Sequence, residues 1–309
     1  MTWAAWRLQR TETLIALGVL ALLAALLVPT GISMASAYHH DGLAACLSMN
    51  PSPSCASAIS SFQTRFQSLW NLANFFTLVP GLIGVALAAP FILDLEHGTY
   101  RLAWTQSITR GRWLAGKIGL PTITALVASG LLILLLTWWR TPEANLMGRL
   151  DSGTFDTTGT ATIGYTLFAL GLALALGALW RRSAASLTLA FIGYFAARIS
   201  VELWLRNHLV APAHAVWKGA QQPSILYDAH VLNLYGTIHG HPAFQSRGNG
   251  FLGGHVTFQA ANAKSATFHA TYIPASDFWP LQLTETALFV GLAALLIGFA
   301  IWWTRERVA

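Results

Sequence analysis

The stretch Ile118-Gly-Leu-Pro-Thr-Ile-Thr-Ala-Leu-Val-Ala-Ser-Gly-Leu-Leu-Ile-Leu-Leu-Leu-Thr-Trp-Trp139 contains no charged side chain and little besides aliphatic and small residues. A helix rises about 1.5 Å per residue, so a run of this length covers the roughly 30 Å hydrocarbon core of a bilayer. Its apolar residues are continuous rather than alternating, which argues against a strand of a membrane barrel. Lipid offers the backbone no hydrogen-bond partner, so the run must close its own bonds as a helix. Five further stretches read the same way: Thr13 to Met34, Leu69 to Leu93, Thr158 to Trp180, Ser183 to Leu205 and Phe278 to Trp303. The expectation is an all-α membrane protein, a single transmembrane domain of six helices over residues 1–309. Pro121 is expected in the first turn of its span, and Pro80 and Pro90 are expected to kink theirs.

Composition agrees with that reading. The 309 residues are 54% hydrophobic and 10% charged, against about 25% charged in soluble domains. The net charge of +6 raises the question of nucleic acid, but the basic residues sit in short groups between apolar runs rather than in one stripe, so no nucleic-acid partner is expected. Their distribution orders the topology instead. Arg7 and Arg10, then Arg101, Arg110, Arg112 and Lys117, then Arg181 and Arg182, then Arg305 and Arg307 crowd short segments on one side. Arg65, Arg140, Arg149, Arg206, Lys218, Arg247 and Lys264 are spread thinly over longer segments on the other, and Arg198 lies within a span. The positive-inside rule then puts both termini on the cytoplasmic side. Arg7, Arg10, the apolar run and Ala35-Ser36-Ala37 also follow the order of a signal peptide, but an h-region is only about 7 to 15 residues long. A retained first span is the expectation.

This orientation places Cys46 and Cys55 outside, where a disulfide around Asn50-Pro51-Ser52-Pro53 is permitted, with two free thiols as the alternative. It also makes 206–277 an extracellular cap segment, too long to be a plain connection. Val256 to Ala260 and Ala266 to Ile273 have strand composition and suggest a hairpin within it. Trp3, Trp6, Arg7 and Arg10 fit a short interfacial helix before the first span. Trp70, Trp113, Trp138, Trp139, Trp180, Trp204, Trp279, Trp302 and Trp303 fall near span ends, as an aromatic belt would.

The loop after the second span reads Asp94-Leu95-Glu96-His97-Gly98-Thr99-Tyr100-Arg101-Leu102-Ala103-Trp104-Thr105-Gln106-Ser107-Ile108-Thr109-Arg110-Gly111-Arg112-Trp113-Leu114-Ala115-Gly116-Lys117. It resembles the first cytoplasmic loop of type-2 ABC transporter permeases, whose pattern is matched by Glu96, Gly98, Thr99, Leu102, Ser107, Arg110, Gly116 and Lys117. His97 stands where a second acidic residue is frequent. Thr2-Trp3, Trp6-Arg7, Asp41-Gly42-Leu43, Glu202-Leu203-Trp204 to His208, and Tyr272-Ile273-Pro274-Ala275-Ser276 with Phe278-Trp279 are similar to an actinobacterial-like group of such permeases. The resemblance implies an exporter-type transmembrane subunit with an N-terminal elbow helix and a cytoplasmic coupling helix between spans 2 and 3. It implies a place in a bacterial plasma membrane, a cytosolic ABC ATPase subunit that holds ATP and magnesium, and a second permease copy in a homodimer or heterodimer. Glu96, His97, Gly98, Thr99, Tyr100, Arg101, Trp104 and Arg110 become the implied ATPase-coupling residues. Among them Glu96, Tyr100, Arg101 and Trp104 would touch the ATPase, while Arg110, Arg112 and Lys117 would meet lipid headgroups. An ordinary basic connecting loop is the plain alternative.

Other chemistry is thin. Gly111, Gly116 and Lys117 have P-loop spacing, but Ile118 stands where Ser or Thr would hold magnesium, so this chain is expected to carry no cofactor. No Gly-x-Ser-x-Gly or His-Glu-x-x-His occurs, which counts against a membrane-embedded enzyme. A non-transporting receptor or immunity subunit is a further alternative. His239-Gly240-His241 lacks framing ligands, and no metal is expected. Arg198 and Glu202 share a helix face, and with Gln282 and Glu285 they are either a translocation path or a structural ion pair near the outer interface.

Overall fold

The computed structural model of the chain describes residues 2–46, 53–105, 109–219, 223–226, 228–238, 241–251 and 266–307. Its helices are α1 (Thr2–His40), α2 (Leu43–Cys46), α3 (Pro53–Ala73), α4 (Val79–His97), α5 (Thr99–Thr105), α6 (Arg110–Met147), α7 (Ser152–Thr158), α8 (Ala161–Trp180), α9 (Ser183–Ser200), α10 (Arg206–Leu209) and α11 (Phe278–Arg307). Six segments are long and apolar enough to span a membrane: Leu17–His40, Ser57–His97, Arg110–Trp139, Ala161–Trp180, Ser183–Leu209 and Ala275–Arg307. The chain is thus a multi-pass, mostly helical membrane protein.

The boundaries shift where local chemistry overrides hydropathy. The elbow segment does not form a separate helix, because α1 is continuous from Thr2. The second span is broken by a 3-10 segment, Asn74–Leu78, after which Pro80 occupies the first turn of α4 rather than kinking a helix. The third span starts earlier than hydropathy suggests. The Thr109 hydroxyl accepts the Arg112 N–H at 3.4 Å and caps α6 at Arg110, leaving Pro121 inside the helix rather than in its first turn. The tryptophans also divide. Trp138, Trp180, Trp204, Trp279 and Trp302 are exposed as a belt requires, but Trp70, Trp113 and Trp139 are buried in the core. Trp139 Nε1 donates to Thr30 Oγ1 at 3.0 Å and joins α6 to α1.

The bundle is organised around α8, whose buried residues run almost without interruption from Ala161 to Ala178. Helices in lipid gain nothing from hiding apolar surface, so close approach through small residues supplies the packing. A Cβ on Gly84 of α4 would lie 2.4 Å from the Thr166 carbonyl oxygen, and one on Gly171 would lie 3.0 Å from that of Ala293 in α11. These contacts seat α4 and α11 against α8.

Between α10 and α11 the cap holds β1 (Ala213–Lys218), β2 (His230–Ile238), β3 (His241–Phe251) and β4 (Thr267–Ile273). They form one sheet in the order β1-β4-β2-β3, with each neighbouring pair antiparallel. The expected hairpin is therefore corrected. Ala266 to Ile273 is a strand in essence, but it pairs with β1 and β2, while Val256 to Ala260 lies outside the described residues. One face of the sheet buries Leu226, Ala229, Val231, Leu234, Ala270 and Tyr272 as a small core of its own. Cys46 and Cys55 are joined in a disulfide, and Pro53 opens α3.

Candidate functional site

Two polar constellations stand at opposite ends of the bundle. At one end α4 closes on Gly98, which takes a left-handed φ of 73°, a conformation that costs an ordinary residue about 1–2 kcal/mol. That turn lets α5 begin at once. Asp94 then fixes both sides of the hairpin by accepting from the Thr99 hydroxyl at 3.0 Å and pairing with Lys117 Nζ at 2.7 Å.

The inner face of α5 is aromatic. Tyr100 is only 2% exposed, meets Trp104 edge-on at 4.8 Å and lies near Trp113, while the Arg110 guanidinium sits 4.5 Å over the Trp104 ring. Tyr100 and Trp104 were expected on the outer, ATPase-facing surface. The structure turns them inward, because packing two large rings against Trp113 gains more than leaving them in water. Arg101 and Leu102 take the outer face instead, Leu102 being 64% exposed. Glu96 and His97 are exposed beside them, and Gln106, Ser107 and Ile108 lie outside the described residues.

The same end gathers two other connections. The Ser183 backbone N–H donates to Glu96 Oε2 at 2.9 Å, so the turn between α8 and α9 is tied to the end of α4. Arg110 donates to the Arg305 carbonyl at 3.1 Å, and Arg181 to that of Arg307 at 3.3 Å. The basic segments around Arg110, Arg181 and Arg305 thus converge, as an even number of crossings requires.

At the other end lies a buried ion cluster that the sequence only half revealed. Arg206 donates from Nε to Glu285 Oε2 and from Nη2 to Glu285 Oε1, both at 3.0 Å, and from Nη2 to Asp156 Oδ1 at 2.5 Å. Arg198 pairs with Asp156 Oδ2, and Tyr165 donates its hydroxyl to Glu285 Oε1 at 2.6 Å. Glu202, the expected partner of Arg198, does pair with it, at 3.6 Å and on the rim of the cluster. Asp156 is the closer partner because it projects from the end of α7 into the bundle, where it serves both guanidinium groups. Gln282 does something separate. Its amide nitrogen donates to the Phe155 carbonyl at 2.7 Å and its oxygen accepts the Ala161 N–H at 2.9 Å, fastening α7 and α8 to α11.

Arg206 reads as a loop residue in sequence, and its place in the cluster depends on a π-helical turn, Val201–Leu205. Residues eight apart in an unbroken α-helix point about 80° apart, but one extra residue absorbed by the turn takes back about 100°. Arg206 therefore faces nearly the same way as Arg198. Asp156 and Tyr165 were missed as well. Two arginines with only Glu202 between them are the signal that a further carboxylate must enter the bundle. Gln282 and Glu285 are fully buried and Arg198 is 5% exposed, so within this chain these residues are enclosed rather than arrayed along an open path. A second buried pair, Arg140 to Glu143 at 3.0 Å with Thr154 as a further acceptor, lies at the same end, where the sequence placed Arg140 in a connecting segment. Among the described residues no group of His, Cys, Asp and Glu has the arrangement of a metal site.

Comparison with curated proteins and comparison with solved structures each return no match. The profile of the family described as "ABC-2 membrane transporter related" matches residues 17–206, well over half of the chain, and takes in both the Gly98 hairpin and the Arg198–Arg206 segment. The chain therefore belongs to the ABC-2 membrane transporter related family and is a membrane subunit of a transporter.

Proposed function

We propose that this chain is the permease subunit of an ABC exporter, and that it couples ATP hydrolysis by a separate cytosolic ATPase to efflux of an amphipathic, lipid-like, peptide or drug substrate. In this reading the Gly98 end, with both termini, faces the cytoplasm and the cap faces outward. ATP and magnesium belong to the ATPase, and the substrate path runs between this permease and a second copy, identical or not. The observation that carries the proposal is α5. It is a seven-residue helix, pinned to the bundle by Tyr100, Trp104 and the Asp94–Lys117 pair. It presents Arg101 and Leu102 outward on two long helices, as an element that transmits a partner's movement would. Glu96 extends that surface to the α8–α9 turn.

Affinity purification of the intact protein from its own membranes tests this. A cytosolic ATPase is expected to accompany it, and Arg101→Glu with Leu102→Asp is expected to cut the recovered ATPase at least about tenfold, because a like charge and a lost apolar anchor are both unfavourable at a docked surface. The unfolding midpoint of the permease should not move. Wild-type protein that brings down no ATPase would sink the coupling role and favour a membrane-embedded enzyme or a non-transporting receptor or immunity subunit.

A further inference from the structure

His230, the first residue of β2, is where the cap meets the buried ion cluster. It is 9% exposed, and its Nδ1 has no hydrogen-bond partner among the described residues. It lines a small cavity with Glu202, Arg206 and Asn207 of the bundle and with Ile273 of β4. Around that cavity the cap is seated on the bundle by an apolar cluster. Ile273, 1% exposed, packs with Leu150, Phe155, Phe278 and Leu281, and Leu232 lies at the margin. A seat of this kind holds only while no uncompensated charge is placed inside it.

We propose that protonation of His230 unseats the cap from the helical bundle, so that the cap–bundle contact is a pH-sensitive latch. The groups around the imidazole decide its response. From the bundle it faces Arg206, whose charge is already shared by Glu285 and Asp156, and Glu202, which approaches Arg198 at 3.6 Å. From the connection before α7 it feels Asp151, and on its own side of the cap stands Asp228, itself close to Arg149. No ion pair between His230 and any carboxylate forms among the described residues, so a proton there would put a second cation beside Arg206 in a cavity with room for no more than about one water. Burial first and Arg206 second hold the imidazole below its ordinary proton affinity, with Asp151 pulling weakly the other way. The docked form thus binds fewer protons than the released form. Docking is at full strength above the ordinary histidine value of about 6.5 and is lost as pH falls below it.

The latch involves only cap and bundle and stands apart from the ATPase reading. Both native cysteines are in the disulfide, so one introduced cysteine is the sole free thiol. Ile273→Cys reports the seat, and Val216→Cys, at a site 62% exposed on β1, corrects for the pH dependence of labelling itself. The ratio of maleimide labelling at Ile273→Cys to that at Val216→Cys in purified full-length protein should rise as pH falls below about 6.5. One linked proton limits the rise to about tenfold per pH unit. With His230→Gln or His230→Asn added, the ratio should stay flat. A ratio that does not rise, that rises equally without the imidazole, or that falls on acidification because Glu202 captures the imidazolium, overturns the proposal. If Ile273→Cys fails to fold, the rate of protease cleavage in the wild-type cap, with and without His230→Gln, is read against pH with the same outcomes.

Discussion

At the Gly98 end the charges are held singly and near the surface, whereas at the cap end they are held together and out of water. Asp94 and Lys117 form one pair with side chains 25% and 13% exposed, and Glu96 and Arg110 tie loops together through backbone groups. At the other end Asp156, Arg198, Arg206, Tyr165 and Glu285 make one connected cluster, with Arg140 and Glu143 beside it. The first arrangement suits a surface that must meet another protein, because each side chain stays available and little is lost when one moves. The second suits a clamp. Removing any of its charged members strands a charge in a medium that cannot solvate it. The cluster draws on α7, α8, α9, α10 and α11, so it fixes where the cap's two chain ends leave the bundle.

The sharpest way to break the contrast is Arg206→Ala. It leaves Glu285 and part of Asp156 uncompensated and should cost about 3–5 kcal/mol, read as a lowered unfolding midpoint in detergent or a loss of folded yield. The paired change Arg206→Met with Glu285→Met should recover most of that loss, since a matched apolar pair has no stranded charge. An Arg206→Ala cost below about 1 kcal/mol would mean that the cluster is no clamp. Next in size is Cys46→Ser. The disulfide spans a sequence separation of 9, and the loop-entropy relation gives about 2–3 kcal/mol for a loop that short, checked by comparing unfolding with and without reductant. Smallest is Lys117→Ala, expected to cost about 0–1 kcal/mol because its pair with Asp94 is partly solvated. A loss at Lys117 as large as that at Arg206 would place the two ends in one class.

The sequence was most legible where the physics is local. Hydropathy located the spans because each run answers to the bilayer by itself, and Gly98 marked the hairpin because only that residue type turns there at no steric cost. Cys46 and Cys55 were likewise readable, being few and close. Legibility failed where a residue's role depends on what lies across the bundle. Asp156 read as part of a polar loop and Tyr165 as one more residue of an apolar helix. Arg206 could not be aligned with Arg198 without knowledge of the π turn between them. The cap failed for a related reason. His241-Pro242 and Arg247-Gly248-Asn249-Gly250 are poor strand formers, and β3 exists because β2 offers it an edge. Tyr100 and Trp104 show the same limit at the Gly98 end, where the loop was recognised but the inward turn of its aromatic face was not.

Taken by itself, the order of residues determined that this chain crosses the membrane repeatedly, roughly where it does so, and which loop carries the family's pattern, because burial in lipid acts on each segment independently of the others. Only the tertiary structure decided which charges neutralise one another and which face of α5 is offered outward. Both depend on distances between segments far apart in sequence, and Coulomb and packing forces act on those distances rather than on order along the chain.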